Sequence, residues 1–64
     1  MKNLRMKAAR AARNLSQQQL AELVGVSRQT INAIENNKYD PTLALAFALA
    51  RELATTVDVL FSPQ

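Results

Sequence analysis

"SQQQLAELVGVSRQTINAIEN", residues 16–36, holds two short apolar-periodic segments separated by Gly25, the only glycine in the 64-residue chain. Ser16 followed three residues later by Gln19 is a capping-box pattern, in which each side chain satisfies an otherwise orphaned backbone N–H of the other. The pattern predicts a helix beginning at Ser16, with Leu20, Ala21 and Val24 facing a core at helical spacing. Gly25 is expected to stop that helix. A sharp turn needs the left-handed conformation, where a Cβ costs about 1–2 kcal/mol. The corner at Gly25 is also expected to leave less room for a side chain than the other turns, with Val26 turned inward to seal it. Ser27 is then an N-cap candidate, and "RQTINAIEN", 28–36, reads as the second helix with Ile31 and Ile34 inward. Two short helices joined by about three residues form a helix-turn-helix pattern.

The side of the second helix turned away from Ile31 and Ile34 is the informative one. At about 100° per residue, Gln29, Asn32, Ala33 and Asn36 cluster there, with Arg28 at the margin. This face carries a guanidinium, carboxamides and a small methyl, and no acid. Arg can donate two hydrogen bonds to guanine O6 and N7, Asn or Gln can pair with adenine, and an alanine methyl can pack on a thymine methyl. Polar outer faces are the rule for helices, so alone this face reads more readily as solvated surface than as a base-reading one. The capped helix and glycine turn that precede it favour base reading.

Outward from this pair, the punctuation continues. A first helix is expected from about Asn3 to Arg13, with Leu4, Met6, Ala9 and Ala12 as its apolar stripe, and Asn14 ends it because Asn tolerates the left-handed region. On the other side, "NNKYDP" (36–41) breaks the helical pattern: Asn37 can take a left-handed cap, and Pro41 stops any continuation. Thr42 is expected to cap a fourth helix with Ala46, Leu49, Ala50 and Leu53 on one face. Thr56 is expected to cap a terminal turn, "VDVLF" (57–61), with Asp58 near its positive end. The fold class is therefore all-α, a compact five-helix arrangement. One domain is expected over 1–64, with the helix-turn-helix at about 16–36.

Composition narrows the function. Apolar residues make up 48% of the chain, enough for a core, yet 64 residues lie near the lower limit for folding without staples. There is no Cys and no His. Disulfides, Cys/His zinc sites and a Cys or His nucleophile are thereby excluded, and no metal or cofactor is expected. The formal charge is +3, from 8 Lys and Arg against 5 Asp and Glu. Lys2, Arg5, Lys7, Arg10 and Arg13 all precede the first acid, which favours a polyanion or an anionic surface, or else marks a solvated helix face. The stretch "LALAFALA" (43–50) is too short to span a bilayer, and no secretory run opens the chain. The expectation is a soluble, cytoplasmic protein without a membrane partner.

The residues "LSQxxLAxxVGVSRQTIxxIExxKxxP", from Leu15 to Pro41, resemble the phage repressor/Cro-type helix-turn-helix family, often called XRE. The likeness continues through helix four and the terminal turn. It implies a five-helix binder of double-stranded DNA, usually a homodimer on a pseudo-palindromic site, with the helix after Gly25 in the major groove. Carried over by position, Arg28, Gln29, Asn32 and Ala33 match base-facing residues. Gln17, Ser27, Asn36 and Lys38 match phosphate contacts, and Gln17 also looks placed to brace residue 28. Arg10 and Glu35 match a structural ion pair. The chain departs from the family at Asn14, Asn37 and Ala54, where glycine is common. It departs again at Ala44, Phe47 and Ala48, where charges are frequent, and this apolar surplus reads as extra core or as an exposed patch for a second copy. A transcriptional regulator, repressor-like and without a small-molecule ligand, is the leading expectation. An adaptor or antitoxin-like interaction module on the same fold is the alternative, while scattered acids without His or Cys make an enzyme a poor reading.

Overall fold

Short side-chain contacts set the ends of the helices along this chain. A computed structural model describes residues 4–61, so the expectations for Lys2 and Asn3, and for the side chain of Leu4, lie outside the described residues. The described residues form α1 (Leu4–Ala12), α2 (Gln17–Val24), α3 (Arg28–Glu35), α4 (Leu43–Glu52) and α5 (Val57–Phe61), with no strand among them. Ser16 Oγ accepts from the Gln19 backbone at 3.0 Å while Gln19 Oε1 accepts from the Ser16 backbone at 2.8 Å, completing the capping box. Ser27, Thr42 and Thr56 accept from the backbone three residues on, each at 3.2 Å. All four N-terminal caps thus fall where the sequence placed them.

The opposite ends turn on left-handed residues. Asn14, Gly25, Asn37 and Ala54 have φ of 58°, 76°, 61° and 55°. At each, the chain beyond the helix folds back onto a carbonyl inside it. Leu15 donates to Arg10, Val26 to Ala21, Lys38 to Ala33 and Thr55 to Ala50, at 2.8–3.2 Å, which is the way helices commonly satisfy their last carbonyls. Ala54 is the strained member, since its Cβ disfavours this region. The expectation of a crowded corner at Gly25 is corrected: a Cβ built there would meet nothing within 4 Å. The backbone angle, not space, calls for glycine.

Packing follows from these turns. α2 and α3 lie against each other, α4 packs under α2, α5 closes onto α1 and α4, and α1 touches α3. Met6, Leu20, Ala21, Ile31, Ile34, Leu49, Ala50, Leu53 and Leu60 form one buried cluster. Leu15, Val24 and Val26 seal its edge, half-buried. Fully burying a Leu, Ile or Met side chain of this cluster contributes about 1.5–3 kcal/mol. Ala12 departs from expectation and is exposed. The helix runs out there, and Leu15, beyond the Asn14 turn, takes up the packing instead.

Candidate nucleic-acid interface

α3 buries one side and presents the other. Ile31 and Ile34 are inside the cluster, whereas Arg28, Gln29 and Asn32 are exposed and Ala33 is half-buried. The one acid of the helix, Glu35, is only 5% exposed. From Arg28 to Asn36 the outward surface therefore shows no carboxylate. Eight residues at 1.5 Å each give a rod of about 12 Å, comparable to the width of the major groove of B-DNA. Lys38 follows the left-handed turn at Asn37 and is exposed.

Glu35 is the joint that holds this surface to the rest of the fold. Its carboxylate accepts from Arg10 Nε at 2.7 Å and from a terminal guanidinium nitrogen at 3.3 Å. The second terminal nitrogen of Arg10 donates to the Leu15 carbonyl at 2.8 Å. Gln17 Nε2 also donates to Glu35, at 3.0 Å. One carboxylate thus ties α1 and the first residue of α2 to the end of α3, and the guanidinium adds the intervening loop. The Arg10 and Glu35 side chains are 14% and 4% exposed. At that depth, loss of one partner strands a charge.

The Gln17 amide was expected to brace residue 28. Its contact is with Glu35 instead, and no hydrogen bond joins it to Arg28 among the described residues. Binding Glu35 uses one of its two amide hydrogens, and the other has no partner among the described residues. Ser27 Oγ caps α3 and lies 3.0 Å from Thr30 Oγ1. Asn36 Nδ2 donates to the Asn32 carbonyl at 2.9 Å and to Asn32 Oδ1 at 3.2 Å. The Gln17–Glu35 contact has no local sequence signal, because it spans 18 positions. The Asn32–Asn36 pair was legible in principle, since polar side chains four apart meet on a helix.

A second surface has the opposite character. Leu43 and Phe47, one turn apart on α4, are 68% and 57% exposed, and Val59 of α5 is 54% exposed. Ala44 is exposed and Ala48 half-buried, so the apolar surplus of α4 is mainly surface. Phe47, Ala50, Arg51, Thr55, Thr56 and Val57 line a shallow depression between the two helices. Among the described residues, no helix is long and apolar enough to cross a membrane.

Comparison with known proteins agrees with this geometry. The helix-turn-helix family HTH_3 matches residues 6–60. An HTH-type transcriptional regulator of Methanocaldococcus jannaschii, itself uncharacterized, is 51% identical over 61 residues, covering 95% of this chain and 91% of its own length. The control protein C.SmaI of Serratia marcescens is 37% identical over 59 residues, covering 92% of this chain and 70% of its own. Among solved structures, the restriction-modification controller protein C.AhdI of Aeromonas hydrophila superimposes with a TM-score of 0.83 at 30% identity. That match covers 92% of this chain and 89% of that one.

Proposed function

Because the chain belongs to the HTH_3 family of XRE-type helix-turn-helix proteins, DNA-binding transcriptional regulators of repressor-like kind, we propose that it reads a specific duplex sequence through α3, as a homodimer. One observation carries the proposal: α3 is anchored on one side by Ile31, Ile34 and Glu35 and offers Arg28, Gln29 and Asn32 on the other with no exposed acid. In the major groove these side chains and the Ala33 methyl meet base edges. Phosphate contact falls to exposed Lys38, to the Ser27 hydroxyl and to the second amide hydrogen of Gln17 at the start of α2. Asn36 reaches a phosphate only by giving up its bonds to Asn32. Arg10 and Glu35 are structural on this reading. Its working compartment is the cytoplasm, with duplex DNA as partner.

The exposed stripe of Leu43, Phe47 and Val59 supports a second copy as the other partner. A two-fold pairing there would set two α3 helices about 34 Å apart, one turn of duplex, for a pseudo-palindromic site. The same stripe favours the alternative of an adaptor that binds another protein. Selection of bound sequences from a random duplex pool separates the two. The homodimeric regulator predicts an enriched palindrome, with affinity falling steeply as salt rises. An unenriched pool from folded protein contradicts it. A strictly monomeric chain at high concentration, with and without DNA, contradicts the pairing.

A further inference from the structure

We infer that Asn36 is a positioning residue for base recognition, holding the Asn32 carboxamide so that it offers DNA a hydrogen-bond donor and selects guanine over adenine at the base pair it meets. The inference rests on the proposal that α3 enters the major groove. It assigns Asn36 a role other than the phosphate contact that the family likeness suggested.

A carboxamide nitrogen carries two hydrogens. Both hydrogens of Asn36 Nδ2 are used within the helix, one on the Asn32 carbonyl at 2.9 Å and one on Asn32 Oδ1 at 3.2 Å. What remains is the Asn36 carbonyl oxygen, an acceptor that a phosphate has no proton to satisfy. In this arrangement Asn36 has nothing to give the DNA backbone. Its backbone also donates to the Asn32 carbonyl, at 3.0 Å, and its φ of −95° and ψ of 10° end the helix just before left-handed Asn37. Asn36 is therefore held at both backbone and side chain, and it is half-buried while Asn32 is exposed.

The consequence falls on Asn32. Its Oδ1 is turned along the helix toward residue 36, and its Nδ2 has no partner among the described residues. Pairing with adenine through N6 and N7 requires the oxygen and the nitrogen of the carboxamide to face the base together. Here one lone pair of that oxygen is already taken, and the nitrogen, with both its hydrogens, is the part left wholly unengaged. Guanine presents two adjacent acceptors, N7 and O6, to the two hydrogens of that nitrogen, whereas adenine offers N7 alone beside an amino group and cytosine offers only an amino group. Fixing the carboxamide beforehand also removes side-chain freedom that binding would otherwise freeze.

The test measures binding of wild type, Asn32→Ala and Asn36→Ala to a panel carrying each of the four base pairs at every position of the selected site, over a range of salt. Circular dichroism establishes that each variant is folded. Asn36→Gln, whose longer arm displaces the amide from both acceptors, serves as a second probe. Expected is loss of discrimination at one position in Asn32→Ala. Asn36→Ala and Asn36→Gln should lose the guanine preference at that same position, by about fivefold or more, with an unchanged salt slope. A uniform loss on all sequences in Asn36→Ala, with the slope reduced by about one contact, would overturn the inference, as would intact discrimination. Should Asn32→Ala alter preference nowhere, the base-reading role of Asn32 falls and the inference with it. Should Asn32→Ala act at one position and both Asn36 variants at none, only the positioning role falls.

Discussion

α3 and α4 are both short helices anchored in one core, yet their outer faces are opposites. α3 buries Ile31 and Ile34 and turns Arg28, Gln29 and Asn32 to solvent, while α4 buries Ala46, Leu49 and Ala50 and still exposes Leu43 and Phe47. A helix with one apolar side is finished when that side is covered. A helix apolar nearly all round offers a second side that the monomer leaves uncovered. The polar face is fixed from within, by the ion pair at Glu35 and the bond from Gln17. For the apolar face we propose a second copy, so it should be silent until that copy arrives.

The contrast can be broken most severely at its fixed end. Glu35→Ala removes the acceptor for Arg10 and Gln17 and leaves a guanidinium partly buried and unpaired. It should cost about 3–5 kcal/mol of unfolding free energy in chemical denaturation. A loss under about 1 kcal/mol would mean the pair is exposed in solution and does not anchor α3. Next come two left-handed helix ends read against each other. Gly25 at φ 76° and Ala54 at φ 55° occupy the same backbone region with opposite residue choices. Gly25→Ala should destabilise by about 1 kcal/mol and Ala54→Gly should stabilise by a similar amount. Thermal melts of both variants check the signs, and the account fails if Ala54→Gly melts lower.

Phe47→Ser should change least within the monomer, by no more than about 0.5 kcal/mol in unfolding of dilute protein, because the ring is already more than half exposed. Its effect should appear in sedimentation, as loss of the dimer. A large loss of monomer stability would place Phe47 in the core after all.

How much of this was readable beforehand divides along the same line. Caps are local chemistry: Ser16 with Gln19, Ser27, Thr42 and Thr56 act within three residues, so the starts of α2, α3, α4 and α5 could be named from the sequence. The left-handed Asn14 and Asn37 were legible because Asn tolerates that region, and the inward isoleucines of α3 because its periodicity has one solution. Ala54 gave no signal of its own, since alanine does not seek φ of 55°, and it entered only as a departure from the family's glycine. The outer side of α4 stayed ambiguous because leucine, alanine and phenylalanine stand on every side of it. Gly25 was read correctly as a turn and wrongly as a tight spot: φ is set by the local chain, but clearance depends on what the rest of the fold brings near. Gln17 was placed near the interface, but its bond to Glu35 joins residues from different helices that no pattern couples.

The central claim is that α3 reads bases while Glu35 and its partners hold it in place. Arg28 tests it most directly. It is exposed at the first position of α3 and has no hydrogen-bond partner among the described residues, so no hydrogen bond among them is lost with its side chain. Arg28→Ala should fold as stably as wild type, within about 0.5 kcal/mol. In competition binding on the selected duplex it should lose about 1–3 kcal/mol of discrimination against a substituted base pair, confined to one position of each half-site. Full discrimination retained at every position, in a variant that is folded and binds, would contradict the account.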